Sequence, residues 1–130
     1  MTDLVQTAVQ VLLVEDDPGV AEMYRAHLTA SGYGVTLAVT GEEALALALD
    51  APPDIVYLDL GLPEMSGIAV LAQLRSQPST AALPVVVLTN YSEPELIAQA
   101  RALGAQDYLI KAHTTPSRLS ESTRRWLDRS

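Results

Sequence analysis

At 130 residues with a net charge of −8, the chain is of single-domain size, here taken as residues 1–130 with a core at about 9–128, and folding would bury roughly two-thirds of its unfolded surface. It holds no cysteine, which excludes a disulfide framework, thiol chemistry and a cysteine metal site. No apolar run reaches the roughly 20 residues of a membrane span, Met1-Thr2-Asp3 lacks a signal peptide's features, and acidity argues against direct nucleic-acid binding: the expectation is a cytoplasmic protein without membrane insertion.

Strand and helix patterns alternate five times, with no repeat, low-complexity segment or internal linker. A first strand is predicted over residues 9–15. Asp17-Pro18 then reads as an N-cap followed by proline at the first helical position, where its missing N–H costs nothing. Val20, Tyr24, Ala26, His27 and Leu28 are candidates for that helix's buried stripe. Gly32 and Gly34 bracket a turn into strand two, residues 35–39. Thr40 caps helix two, and Glu43 three residues on completes a capping box. That helix ends at Asp50-Ala51-Pro52-Pro53.

Strand three is predicted over 55–59 and strand four over 85–88. Both are uniformly apolar, the pattern of central parallel strands buried on two faces. Helix three follows the loop Leu60-Gly61-Leu62-Pro63-Glu64-Met65-Ser66-Gly67, over about 68–75. Helix four spans about 93–103, with Pro94 in its first turn and Gly104 as its stop. Strand five covers 107–110, and a last helix begins near Thr115-Pro116 and ends around 128. Four of the eight basic residues (Arg118, Arg124, Arg125 and Arg129) fall in this final stretch. They form either a solvated helix face or a contact for an acidic partner. Alternation with short loops implies right-handed crossovers and a three-layer, doubly wound (βα)5 α/β domain around a parallel five-stranded sheet.

In such a sheet the carboxyl ends of the strands share one edge, where ligands bind. Strand one runs into Glu15, Asp16 and Asp17, strand three into Asp59, strand four into Thr89, and strand five into Lys111, the only lysine. Adjacent carboxylates raise one another's pKa unless a cation neutralises them. With Asp17 assigned to the cap, Glu15 and Asp16 remain at the edge, and oxygen ligands completed by water suit Mg²⁺. An acidic triplet alone is a common loop feature, and an aspartate or threonine at a strand end can be a cap or β-branched filler. Together the four islands fit phosphoryl transfer: a carboxylate nucleophile, a metal, a hydroxyl and an ammonium to share the charge on three equatorial oxygens. A lone lysine among arginines is the sharper signal, because a compact point charge suits a single phosphate or carboxylate oxygen.

Over about residues 9–127 the chain resembles the receiver domain of two-component response regulators. The resemblance is carried by Val11-Leu12-Leu13-Val14-Glu15-Asp16-Asp17, Asp54-Ile55-Val56-Tyr57-Leu58-Asp59, Leu62-Pro63-Glu64-Met65-Ser66-Gly67, Pro84-Val85-Val86-Val87-Leu88-Thr89 and Tyr108-Leu109-Ile110-Lys111. It implies a flavodoxin-like sheet of order 2-1-3-4-5, the arrangement for which a chemotaxis receiver is a standing example. It also implies Asp59 as phosphoacceptor, Asp16 as a direct Mg²⁺ ligand, Glu15 as a ligand through water and Gly61 as a carbonyl ligand. Thr89 would be the switching hydroxyl, Lys111 the phosphate-pairing ammonium, and Tyr108 the aromatic that swings inward on activation. The implied protein is a phosphorylated switch, not an enzyme in the usual sense, although it supports its own Mg²⁺-dependent phosphotransfer and dephosphorylation. Its partners would be a sensor histidine kinase or phosphotransfer protein and an unnamed downstream protein, with a homodimer as a further arrangement.

Three positions depart from the family pattern. Ala112 and His113 follow the lysine where proline in a cis peptide is usual, so Lys111-Ala112 is expected to be trans and the loop through Thr115 to take its own path. Asn90 and then Tyr91 follow the switch hydroxyl where a small residue is usual. Gly61 offers no side chain to shield a phosphoryl group.

A haloacid-dehalogenase-type phosphatase would place its nucleophile after the first strand and its metal-binding pair later, the reverse of the order here. In a flavodoxin, carboxylates at the first loop would repel the flavin phosphate. A degenerate receiver acting only as a dimerisation or docking module would have lost catalytic groups, and none is missing. The expected output of a stand-alone domain is the face of helix four, strand five and helix five. In the last helix only Leu119, Trp126 and Leu127 are large hydrophobes. Leu119 and Trp126 share a face: either both pack on the sheet, or Trp126 is partly exposed beside arginines, a composition suited to an interface.

Overall fold

The computed structural model describes residues 8–128, so Met1, Thr2, Asp3 and Arg129 lie outside the described residues. Its strands are β1 (Gln10–Val14), β2 (Gly34–Ala38), β3 (Ile55–Leu58), β4 (Val85–Thr89) and β5 (Asp107–Ile110). They pair in parallel in the order β2-β1-β3-β4-β5. The intervening helices are α1 (Pro18–Ala30), α2 (Gly41–Asp50), α3 (Gly67–Ser76), α4 (Pro94–Ala102) and α5 (Pro116–Asp128), with a short 3-10 turn at Lys111–His113. Fold class and strand order are as expected.

The uniformly apolar strands are explained by the two layers that cover them. Successive side chains point to opposite faces, so Val11, Leu13, Ile55, Tyr57, Val86 and Leu88 pack with Tyr24 and Leu28 of α1 and Leu119 of α5. Leu12, Val14, Val56, Leu58, Val85 and Val87 face the other way, toward α2, α3 and α4. Every residue of β3 and β4 is buried. Each large aliphatic side chain so removed from water contributes about 1.5–3 kcal/mol, and the two covered faces fix the central strands against slipping.

The caps follow the sequence with small changes. Asp17 Oδ1 accepts from the N–H groups of Gly19 and Val20 at 2.9 and 3.1 Å, opening α1. The buried stripe of α1 is Ala21, Tyr24 and Leu28, with Val20 packed beside it. Ala26 is exposed and His27 only half-buried, because at 100° per residue Ala26 lies on the far side from Tyr24 and Leu28. Thr40 Oγ1 accepts from Glu43 N–H at 3.1 Å, but the Glu43 carboxylate reaches back to Val39 N–H, one residue before the cap. β2 starts one residue earlier than expected because Gly34 pairs with Gln10. Glu93 stands at the N-cap of α4 without a side-chain bond. Gly32 (φ 98) and Gly104 (φ 78) take the left-handed conformation that ends α1 and α4.

α5 docks through hydroxyls as much as through apolar groups. Ser120, Ser122 and Thr123 are buried. The Tyr57 hydroxyl, from the middle of β3, lies 2.6 Å from Thr123 Oγ1, which donates to Leu119 O at 2.9 Å. Leu119 and Trp126 share the sheet-facing side, and Trp126 packs in the same cluster with Arg125 lying 5.6 Å over its ring. Trp126 is half-buried, so it combines the two alternatives: one part of the ring packs on the cluster and the rest lies beside Arg125.

A single arginine ties two loops on the opposite side of the sheet. The Arg75 guanidinium, at the end of α3, donates to the carbonyls of Leu103, Leu83, Gly104, Ala81 and Thr80 at 2.7–3.3 Å. Burial holds its pKa below the ordinary value. Removing it leaves carbonyl oxygens at the α3–β4 and α4–β5 turns without their charged donor. Arg75→Ala is expected to lower stability by about 2–3 kcal/mol, read as a lower urea midpoint at unchanged slope. Arg75→Lys should recover only part of this, since one ammonium cannot span the fork.

Candidate functional site

The edge formed by the carboxyl ends of β1, β3, β4 and β5 gathers the residues expected there. Glu15 and Asp59 follow directly on β1 and β3, and are 1% and 5% exposed. Asp16 is exposed. Glu15, Asp16 and Asp59 each bring a carboxylate oxygen within 4.8 Å of the other two. Lys111 Nζ donates to Glu15 Oε1 at 2.8 Å and to Asp59 Oδ2 at 3.1 Å. The remaining oxygens are held by backbone: Asp17 N–H donates to Glu15 Oε2 and Gly61 N–H to Asp59 Oδ1, both at 3.1 Å.

Burial raises the Glu15 carboxyl above its ordinary range, and the hydrogen bonds from Lys111 and Asp17 N–H offset this only in part. For Lys111, burial acts to lower the pKa, but hydrogen bonds to Glu15 and Asp59 outweigh it and the net shift is upward. The cluster thus favours an ammonium between two acids. Its donor set is all oxygen, with two buried carboxylates and one open to solvent. This suits a hard divalent cation that keeps part of its water shell.

Thr89 ends β4 fully buried, paired in register with Ile110 of β5. Its Oγ1 accepts from Tyr91 N–H at 3.4 Å, and the Tyr108 hydroxyl donates to Tyr91 O at 2.7 Å. Tyr108 is half-buried, and its phenol is shifted upward by burial and by the charges of Glu93 and Asp59. Lys111-Ala112 is trans, since no cis peptide occurs among the described residues. Lys111 nonetheless reaches Asp59.

Two close approaches shape the loop after Asp59. A Cβ on Gly67 would lie 2.3 Å from Asp59 O, so only glycine lets α3 start against the strand end. A Cβ on Gly61 would lie 2.4 Å from Cε2 of Tyr91. The space over Gly61 is thus filled from another loop, by the Tyr91 ring. Gly61 and Tyr91 lie three and two residues past the ends of β3 and β4, and a glycine and an aromatic so placed on neighbouring strand ends are the sequence signal that joins them. Glu64, in the same loop, is the one non-glycine with positive φ (68) among the described residues.

Residues 11–124 match the model of the response regulator receiver domain, and the chain belongs to that family. Among relatives, the transcriptional regulatory protein KdpE of Mycobacterium tuberculosis is 45% identical over 101 residues, covering 78% of this chain and 43% of that protein. The chain therefore matches less than half of that relative's length. Among solved structures, the chemotaxis response regulator CheY4 of Vibrio cholerae is 32% identical with a TM-score of 0.84, covering 92% of this chain and 98% of that one. The phosphorylated cyanobacterial phytochrome response regulator RcpA is 25% identical with a TM-score of 0.86, covering 95% and 96%. Among the described residues no helix is long and apolar enough to cross a membrane.

The ion arrangement makes a pH-dependent prediction. Lys111→Met should leave Glu15 and Asp59 facing each other and cost about 2 kcal/mol at neutral pH, less than the 3–5 of a fully buried pair because Lys111 is partly open to solvent. A lysine raised by folding stabilises below its ordinary value of 10.5, and that gain is lost as pH climbs through the folded pKa. A carboxyl raised by folding favours the folded state when protonated, and in the variant Glu15 is raised further. The deficit against wild type should therefore be widest between these two titrations. It should shrink on acidification through the raised Glu15 pKa and again at strongly alkaline pH. Urea midpoints measured across pH check this, and a deficit independent of pH would refute it.

Proposed function

We propose that the domain is a phosphoacceptor switch in which Asp59 takes a phosphoryl group from a histidine kinase or phosphotransfer protein. The observation that carries this reading is the bridged pair: a buried aspartate at a central strand mouth, held on one oxygen by Lys111 and on the other by Gly61 N–H. Support also comes from the family and from RcpA, a relative in fold that carries a phosphoryl group.

An Asp59 oxygen attacks the phosphorus of a phosphoimidazole. An O–P bond forms, the P–N bond breaks, and the imidazole leaves with its electron pair and takes a proton. Charge on the equatorial oxygens meets the Lys111 ammonium and the Thr89 hydroxyl. Glu15, Asp16 and Asp59, with the Gly61 carbonyl, would hold Mg²⁺, which supplies charge neutralisation for the approach of an anionic donor. Hydrolysis of the acyl phosphate by water returns Asp59 to its carboxylate. The proposed output is the α4–β5–α5 face, reached through Thr89 and Tyr108, and its partner is a protein, in keeping with the chain's acidity. DNA binding, a property of regulators among the longer relatives, is not assigned to these residues.

Asp59→Asn is expected to abolish acid-labile phosphate incorporation from acetyl phosphate while leaving the fold intact by circular dichroism. Undiminished labelling of that variant would place the phosphate elsewhere. Mg²⁺ is expected to raise the melting temperature by relieving carboxylate repulsion, in free-energy terms RT ln(1+[L]/Kd). Asp16→Asn should lose most of that rise, and a full rise in the variant would put the metal at other ligands.

A further inference from the structure

Two departures from the family pattern meet in space. Ala112 N–H donates to Asn90 Oδ1 at 3.0 Å. Asn90 directly follows Thr89, the last residue of β4, and Ala112 directly follows Lys111. A proline at position 112 has no N–H and could not make this bond. A small aliphatic residue at position 90 could not accept it. The bond therefore needs both departures: a non-proline residue at position 112 to donate and a side-chain acceptor at position 90.

We propose that Asn90 is a positioning residue for Lys111: it latches the β5–α5 loop to the end of β4 and so sets the lysine's backbone for reach into the phosphoryl site. This rests on the reading of Asp59 as phosphoacceptor. The far end of the loop is already held, since Tyr24 OH donates to Thr114 O at 2.7 Å and Thr114 Oγ1 to Ile110 O at 2.8 Å. Thr114 N–H also closes the 3-10 turn on Lys111 O at 3.2 Å. The near end is where a proline would otherwise stiffen the chain, and there the Asn90 bond supplies the constraint. It crosses 22 residues of sequence, so the lysine loop and the switch loop cannot shift independently while it holds. A flexible four-carbon stem loses side-chain entropy when its ammonium is fixed. Holding its Cα leaves only that loss to offset.

Asn90 is exposed and outside the core, so Asn90→Ala is expected to fold normally. The latch predicts that amide exchange at Ala112, followed by NMR, speeds up about three- to tenfold in Asn90→Ala, the range set by one hydrogen bond. Asn90→Asp, which keeps Oδ1, should retain the protection. Phosphorylation by acetyl phosphate and beryllofluoride affinity should fall in Asn90→Ala by a similar factor. The urea midpoint should stay close to that of the wild type, because Asn90 is exposed and lies outside the core. A general loosening of the domain would move both, so this split separates positioning from mere stability. Unchanged Ala112 exchange, or unchanged beryllofluoride affinity beside faster exchange, overturns the latch. Wild type that accepts neither phosphate nor beryllofluoride overturns instead the reading of Asp59, and the exchange data then decide the latch on their own.

Discussion

The ammonium of Lys111 between Glu15 and Asp59 is the constraint on which the sheet edge depends. Two carboxylates buried this closely would each oppose the other's ionisation, and water is too sparse there to screen them. One cation touching both at 2.8 and 3.1 Å makes the arrangement tolerable. It also ties the ends of β1, β3 and β5 into one unit, although those strands come from well-separated parts of the sequence. A point charge on a flexible stem suits this task because it can stay bonded while the geometry around it changes by small amounts. An arginine fork would impose one geometry.

The scaffold holds that edge still. β3 and β4 are buried along their whole length, so their ends cannot slide without exposing valine and leucine to water. α5 is the thinly apolar layer, and its buried Thr123 hydroxyl bonds to Tyr57 and to its own backbone while the Tyr57 hydroxyl also reaches the Leu119 carbonyl. Such hydroxyl packing is directional where aliphatic packing is not. It fixes the rotation of α5 on the sheet, and with it the path of the loop that leads back to Lys111.

How much of this was legible in the sequence depended on range. Elements, caps and strand-end acids are local patterns, and they were readable within a residue or two. The sheet order came from the resemblance, since parallel pairing leaves no local signature. What stayed hidden are the pairs joined only by folding: Tyr57 with Thr123, Arg75 with five carbonyls, Gly61 with Tyr91, and Asn90 with Ala112. Tyr57 sits in an apolar run and reads as core, with nothing to show that its hydroxyl finds a partner on α5. Ala26 is illegible for a different reason. Alanine is apolar on either side of a helix, so its phase must be set by the large residues around it.

The hidden pairs are also what give the site its individuality. Thr89, Asn90 and Tyr91 are consecutive, yet each engages a different neighbour: the β5 ladder, the Lys111 loop and Gly61. The Tyr108 hydroxyl closes the set by bonding to Tyr91 O. Motion of Thr89 toward a phosphoryl group would pull on all three contacts at once. The backbone between them has only two soft dihedrals per residue with which to absorb a displacement. A short segment anchored at every residue moves as a whole or not at all, which is the behaviour a two-state element requires. The three departures from the family pattern thus converge on residues 89–91. They change how tightly this segment is held without removing any group from the site.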